Sequence, residues 1–123
     1  MRLIGDPCPE RLYISQGFSR AHPGVDMAAP EGAPVFAAHA GRVRIGYDNR
    51  VYGLYIVMDG FFDEEPLQTF YAHLGQVRVP DGAWVSEGQL IGNVGLTGRT
   101  SGPHLHFALR WCGALVDALE YIG

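Results

Sequence analysis

The hydrophobic positions of this chain fall in short runs rich in Val, Ile, Tyr and Phe, broken at close intervals by glycine and proline. Seventeen glycines and eight prolines supply the breaks, a density that suits many short strands joined by tight turns. The runs predict strands over Pro34 to Ala38, Gly41 to Tyr47, Leu54 to Met58, Thr69 to Leu74, Trp84 to Val85, Leu90 to Val94 and His104 to Arg110. The polar segment Asp59 to Pro66 reads as an exposed hairpin loop, and only Val116 to Tyr121 has the pattern of a helical turn. No repeat, low-complexity tract or composition shift divides the chain. The expected architecture is all-β, with residues 1–123 as one domain.

The last predicted strand has the clearest alternation. Side chains alternate faces along a strand, so Leu105, Phe107 and Leu109 form a core face. His104, His106, Ala108 and Arg110 share the other. The two imidazoles therefore project from the same side, about 6–7 Å apart at Cα.

Composition bounds the function classes. The chain is 47% hydrophobic and 18% charged over 123 residues, which is globular, and a domain of this size buries about 65% of its unfolded surface. Its net charge of −4 and the absence of any Lys/Arg run exclude a nucleic-acid backbone as partner. No run approaches the ~18 apolar residues of a membrane span. Asp6 and Pro7 interrupt the N-terminus before a signal-peptide core could form, so either the chain is not exported by the usual route or the segment that exported it is absent from this sequence. Two cysteines, Cys8 and Cys112, allow two readings. Bonded, they would close a loop of about 104 residues, worth about 4–5 kcal/mol in the chain-entropy model. Unbonded, they are two independent small hydrophobes. Neither lies in a C-x-x-C arrangement, so zinc held by cysteine is not expected.

Four of the five histidines fall in three phrases: His22-Pro23-Gly24-Val25-Asp26, Tyr71-Ala72-His73-Leu74 and Pro103-His104-Leu105-His106-Phe107. Each phrase alone has an ordinary structural explanation, Asp26 as a turn or capping residue included. Together they offer imidazoles and a carboxylate of the kind that binds first-row metals. His22 and Asp26 with a third ligand from the last strand would leave one coordination position for water. The two remaining histidines of the phrases could orient or deprotonate that water, or hydrogen-bond an oxyanion. His39, in Ala37-Ala38-His39-Ala40-Gly41, has no companion phrase and reads as structural.

Further phrases extend the pattern. Gln16-Gly17-Phe18 precedes His22, and Ala29-Pro30-Glu31-Gly32-Ala33-Pro34-Val35 and the stretch Ala37 to Val43 follow Asp26. Val85-Ser86-Glu87-Gly88-Gln89-Leu90-Ile91-Gly92 and Gly95-Leu96-Thr97-Gly98-Arg99-Thr100-Ser101-Gly102 lead into the last phrase. In this order, and over nearly the whole chain, they resemble the lysostaphin/LytM-type zinc endopeptidases of bacterial peptidoglycan. The resemblance implies antiparallel sheets forming an open groove, the duplicated hybrid motif type, with a peptide lying across the metal. It implies one zinc ion held by His22, Asp26 and His106, with His73 and His104 as the catalytic pair. It further implies a peptidoglycan stem peptide or cross-bridge as substrate, often cut next to glycine or a D-alanyl residue, and a place outside the cytoplasm at the cell wall.

Two departures modify the expectation. Some members place a tyrosine shortly before the first ligand. Here Gln16 and Phe18 stand nearby and Tyr13 is the closest phenol, so no tyrosine is given a role. The stretch before His22 is short, so the chain reads as a bare catalytic domain whose targeting comes from a fused partner, a phage virion or a processed precursor.

Two other classes compete. A catalytically silent module of the same fold would bind peptidoglycan or a partner protein. Such degeneration removes ligands, and none is missing here. A carrier or phosphotransfer domain is suggested by Val85 to Gly92, which resembles biotinyl/lipoyl turn motifs, and faintly by His22 to Asp26, which resembles the phosphohistidine region of glucose-permease IIA domains. The chain contains no lysine to modify, and that class leaves His104 and His106 without a role.

Overall fold

The computed structural model describes residues 2–123. Ten strands follow in order: β1 (Tyr13–Gln16), β2 (Val25–Ala28), β3 (Pro34–Phe36), β4 (Gly41–Asp48), β5 (Gly53–Phe62), β6 (Glu65–Val77), β7 (Trp84–Val85), β8 (Leu90–Val94), β9 (His104–Trp111) and β10 (Ala114–Val116). A single 3-10 turn, Ala118–Glu120, closes the chain and is capped by the Asp117 carboxylate accepting from the Leu119 N–H. The main path of the sheet runs β1-β2-β9-β6-β5-β4-β7, with β10 on β9 and the β3–β8 pair attached through β6. Every pairing between these strands is antiparallel.

The alternation expected for the last strand holds through β9. Leu105, Phe107 and Leu109 are fully buried, as are Leu67, Thr69 and Tyr71 on its neighbour β6. The pairs Ala72–His106, Phe70–Ala108 and Gln68–Arg110 therefore line the other face.

Two expectations shift, and the open choice for the cysteines is decided. Trp84–Val85 and Leu90–Val94 match their strands, but β5 and β6 run far longer than their apolar cores. Asp63 and Glu64, both at positive φ, make a two-residue turn whose twist suits flanking strands, so the ladder continues almost to the tip. The segment 59–66 is thus mostly strand, its pairing hidden by the acidic run. Strands β1, β2 and β10, each three or four residues long, were not expected. The cysteines are free and apart: Cys8 is buried, and Cys112 is exposed at the turn between β9 and β10. Burial, reinforced by the Asp6 carboxylate, pushes the Cys8 thiol up to about 11, which makes it a poor nucleophile.

A buried polar chain crosses the core side of the sheet. The Ala38 N–H donates to the Tyr71 hydroxyl (3.0 Å), which lies 2.7 Å from Thr69 Oγ1; that oxygen lies 2.8 Å from His39 Nε2. His39 Nδ1 donates to the Ala40 carbonyl at 2.8 Å. One proton arrangement uses each hydrogen once. Tyr71 donates to Thr69, Thr69 donates to neutral His39, and His39 donates to the backbone. Burial lowers the His39 pKa, opposed by the Ala40 carbonyl, and this holds the ring neutral.

Unfolding then takes up a proton at His39 below about pH 6.5. Its contribution to stability is complete above that value and is lost as pH falls toward the depressed native pKa. Thr69→Val, which severs the chain with nearly constant volume, is expected to cost on the order of 1–3 kcal/mol. Urea unfolding at pH 7.5 measures that loss. His39→Gln should flatten part of the stability slope below pH 6.5.

Candidate metal centre

Antiparallel pairing of β2 with β9 builds the site. Its register sets Asp26 opposite His106 and Ala28 opposite His104, so carboxylate and imidazole leave the same face side by side. Asp26 Oδ1 lies 2.9 Å from His106 Nδ1 and 3.7 Å from His104 Nε2. His22, from the turn before β2, brings Nε2 to 3.3 Å from Asp26 Oδ2. Gly24 makes this approach possible, because a Cβ there would stand 2.6 Å from the Phe107 carbonyl and 3.1 Å from the His106 ring.

The donor set of His22, Asp26 and His106 fits a metal ion. Each offers one ligand atom, and these atoms all lie within 4.8 Å of one another. Tetrahedral ligands about 2.1 Å from a zinc ion sit about 3.4 Å apart, close to the 2.9 Å and 3.3 Å that separate the Asp26 carboxylate from His106 and His22. Two imidazoles and a carboxylate are also the donor types that zinc accepts. Burial raises the Asp26 pKa. The His106 hydrogen bond and the neighbouring imidazoles outweigh that effect and hold it below the usual carboxylate range.

The other two histidines stand beside this triad. The rings of His73 and His104 lie 4.7 Å apart, and His73 is 6.3 Å from His106. Backbone carbonyls set their tautomers. His73 Nδ1 donates to Thr97 O (2.8 Å), and His104 Nδ1 donates to Gly102 O (3.0 Å). Among the described residues neither Nε2 has a hydrogen-bond partner. Burial lowers the His73 pKa, opposed by the Thr97 hydrogen bond and reinforced by His104 and His106, so the ring stays neutral near pH 7.

Simple alternation would turn His73 into the core behind Tyr71. A bulge prevents this. Between Ile56–Tyr71 and Leu54–Leu74, β6 carries one residue more than β5, and His73 sits there at φ 63°. β6 also exchanges partners here, pairing with β9 through Ala72 and with β8 from Leu74.

All five residues expected at the site meet there, and His39 lies apart in the buried polar chain. Two contributors were not expected. Tyr52, in the β4–β5 turn, lines the cleft with its ring 5.6 Å from His106, and its carbonyl accepts from the His73 N–H at 2.8 Å. Thr97 accepts the His73 Nδ1–H, while its hydroxyl donates to Leu74 O (2.7 Å) and accepts from the Leu54 N–H (3.0 Å). Gly53, at φ 66°, admits that contact, since a Cβ would lie 2.3 Å from the Thr97 carbonyl carbon. Tyr52 reaches the site through a turn from a strand two places away from β9, which no sequence spacing displays.

Comparison with known proteins places the chain. The model of peptidase family M23 matches residues 20–118. The chain is 36% identical over 112 residues to the peptidoglycan DD-endopeptidase ShyB of Vibrio cholerae, covering 91% of this chain and 26% of that protein. A zinc-containing peptidase from Vibrio cholerae superposes with TM-score 0.80 at 32% identity, over 96% of this chain and 38% of that one. The catalytic domain of lysostaphin from Staphylococcus simulans superposes with TM-score 0.73 at 29% identity, over 88% of this chain and 87% of that domain. The chain belongs to peptidase family M23 and has the lysostaphin-like fold. It spans about a quarter of the length of the curated relatives it matches.

Gly24→Ala is expected to displace His106 and weaken metal binding about 10–100-fold while the sheet stays folded. Competition with a chromogenic chelator, alongside circular dichroism, measures both.

Proposed function

We propose that this chain is a zinc-dependent endopeptidase that hydrolyses peptide bonds in peptidoglycan stem peptides or cross-bridges, with residues 1–123 acting as one catalytic domain. The observation that carries the reading is the convergence of His22, Asp26 and His106 on one point, beside two Nε2 atoms without a hydrogen-bond partner among the described residues. The similarity to peptidoglycan DD-endopeptidases supports the substrate class and a site of action outside the cytoplasm at the cell wall.

In this reading His22, Asp26 and His106 hold one zinc ion. When bound, zinc supplies a Lewis acid that polarises a carbonyl and makes water a stronger acid. His73 and His104 manage the protons. One Nε2 takes a proton as water adds to the scissile carbonyl carbon, and the imidazolium so formed hydrogen-bonds the oxyanion. The C–N bond then breaks and the proton passes to the leaving nitrogen. His104, its ring 4.7 Å from that of His73, is among the groups that lower the His73 pKa, which suits His73 to taking up a proton only transiently.

Zinc-loaded protein should release new amino groups from purified cell walls, and a chelator should stop the release. Bound zinc with no release from walls of several cross-bridge chemistries would refute the activity and favour a silent binding module. His73→Ala and His104→Ala should each lower kcat about 10²–10⁴-fold with zinc retained, whereas His106→Ala should lose the metal. Activity should fall below about pH 6 as His73, whose pKa is held below the ordinary imidazole value, protonates. A pH–rate profile flat to pH 4 would contradict these roles.

A further inference from the structure

From the metal centre, the face of β9 that carries His106 continues as a trough. Pro23, Tyr52, Phe70 and Leu115 flank a hollow of about 270 Å³ over Ala108, and Gln68 and Arg110 close its far end. A second hollow of about 290 Å³ continues past the same Gln68 and Arg110 toward Phe61. Arg110 therefore stands at the junction, on the same face as His106 and four residues along the strand. An extended peptide crossing the metal centre and following β9 covers that distance, about 13 Å, in about four residues.

The charge at this junction is specific. Arg110 is exposed, and one of its N–H groups donates to Gly113 O at 3.1 Å, tying down the β9–β10 turn. Among the described residues no carboxylate forms an ion pair with it. Asp59, on β5 two strands away from β9, is already engaged. Asp59 accepts from Arg44 Nε at 2.8 Å and from Gln68 Nε2 at 2.9 Å. Gln68 is the cross-strand partner of both Asp59 and Arg110, so a neutral amide separates that acid from the guanidinium. The remaining donors of Arg110 form a planar fork that matches a carboxylate.

We propose that Arg110 is a specificity-determining residue that receives a carboxylate of the substrate peptide, within about four residues of the bond that is cut. The inference rests on the peptidase reading above. The carboxylate belongs either to a chain terminus or to an acidic side chain.

The test uses fluorescent peptides built around a central D-alanyl–D-alanine pair. One is blocked and neutral, one has a free C-terminal carboxylate, and a set carries a single glutamate moved through the flanking positions. Binding is read by anisotropy in a His104→Ala background, and KM and kcat in the zinc-loaded wild-type background. Arg110→Gln should weaken binding of at least one carboxylate-bearing peptide roughly tenfold, raise its KM with kcat within about twofold, and leave the neutral peptide unchanged. Loss with the free C-terminus assigns a terminal carboxylate, and loss with one glutamate position assigns a side chain. Arg110→Lys, which keeps the charge without the fork, should give an intermediate loss and serves if Arg110→Gln fails to fold. Equal loss for all peptides, or none, overturns the proposal. If no peptide is cut but binding still depends on Arg110 and a carboxylate, the endopeptidase activity fails and this inference stands. Cleavage with no carboxylate preference gives the reverse.

Discussion

The register between β2 and β9 is the constraint on which the site depends. Asp26 and His106 are 80 residues apart in sequence and become cross-strand neighbours only through that ladder. Side chains alternate with a period of two, so a slip of one residue would turn the Asp26 carboxylate into the core and expose Val25 or Met27. Val25, Met27, Leu105 and Phe107 are all fully buried, so the hydrophobic core opposes any such slip. The placement of Asp26 beside His106 is thus set by apolar packing on the opposite side of the same two strands.

His73 depends on a different device. It lies on a third strand, and its side chain reaches the cleft only through a bulge and a left-handed backbone conformation that non-glycine residues rarely adopt. Three contacts hold that conformation. The His73 N–H donates to Tyr52 O, Nδ1 donates to Thr97 O, and the His73 carbonyl accepts from the Gly95 N–H. The β4–β5 turn, β6 and the segment before β9 are fastened together at one residue. A local cost of this kind persists where the surroundings over-determine the geometry, and functional sites are where it concentrates.

Much of this was legible in the sequence because it rests on period-two alternation and on residue chemistry. The faces of β9, the limits of β7 and β8, and the grouping of His22, Asp26, His73, His104 and His106 follow from patterns within single segments or from resemblance. What was not legible depends on pairing across distance. β2 is four residues long, and Asp26 looks equally like a turn residue until β9 is placed beside it. The β5–β6 hairpin conceals its length because Asp63 and Glu64 occupy turn positions more often given to Asn and Gly. Tyr52 approaches His106 only after β5, β6 and β9 are ordered in the sheet.

The buried chain from Ala38 through Tyr71 and Thr69 to His39 bears on folding specificity. Thr69 and Tyr71 alternate along β6 with Gln68, Phe70 and Ala72, so both faces of the strand obey one register. In a slipped sheet Thr69 would leave the interior, and the Tyr71 hydroxyl and His39 would lose their partners inside a medium that penalises unpaired polar groups heavily. Hydrophobic contacts can be partly remade after a slip; this directional set of bonds cannot. It therefore widens the energy gap between the native sheet and its misregistered competitors, and fixes the cleft from behind with residues that never touch a substrate.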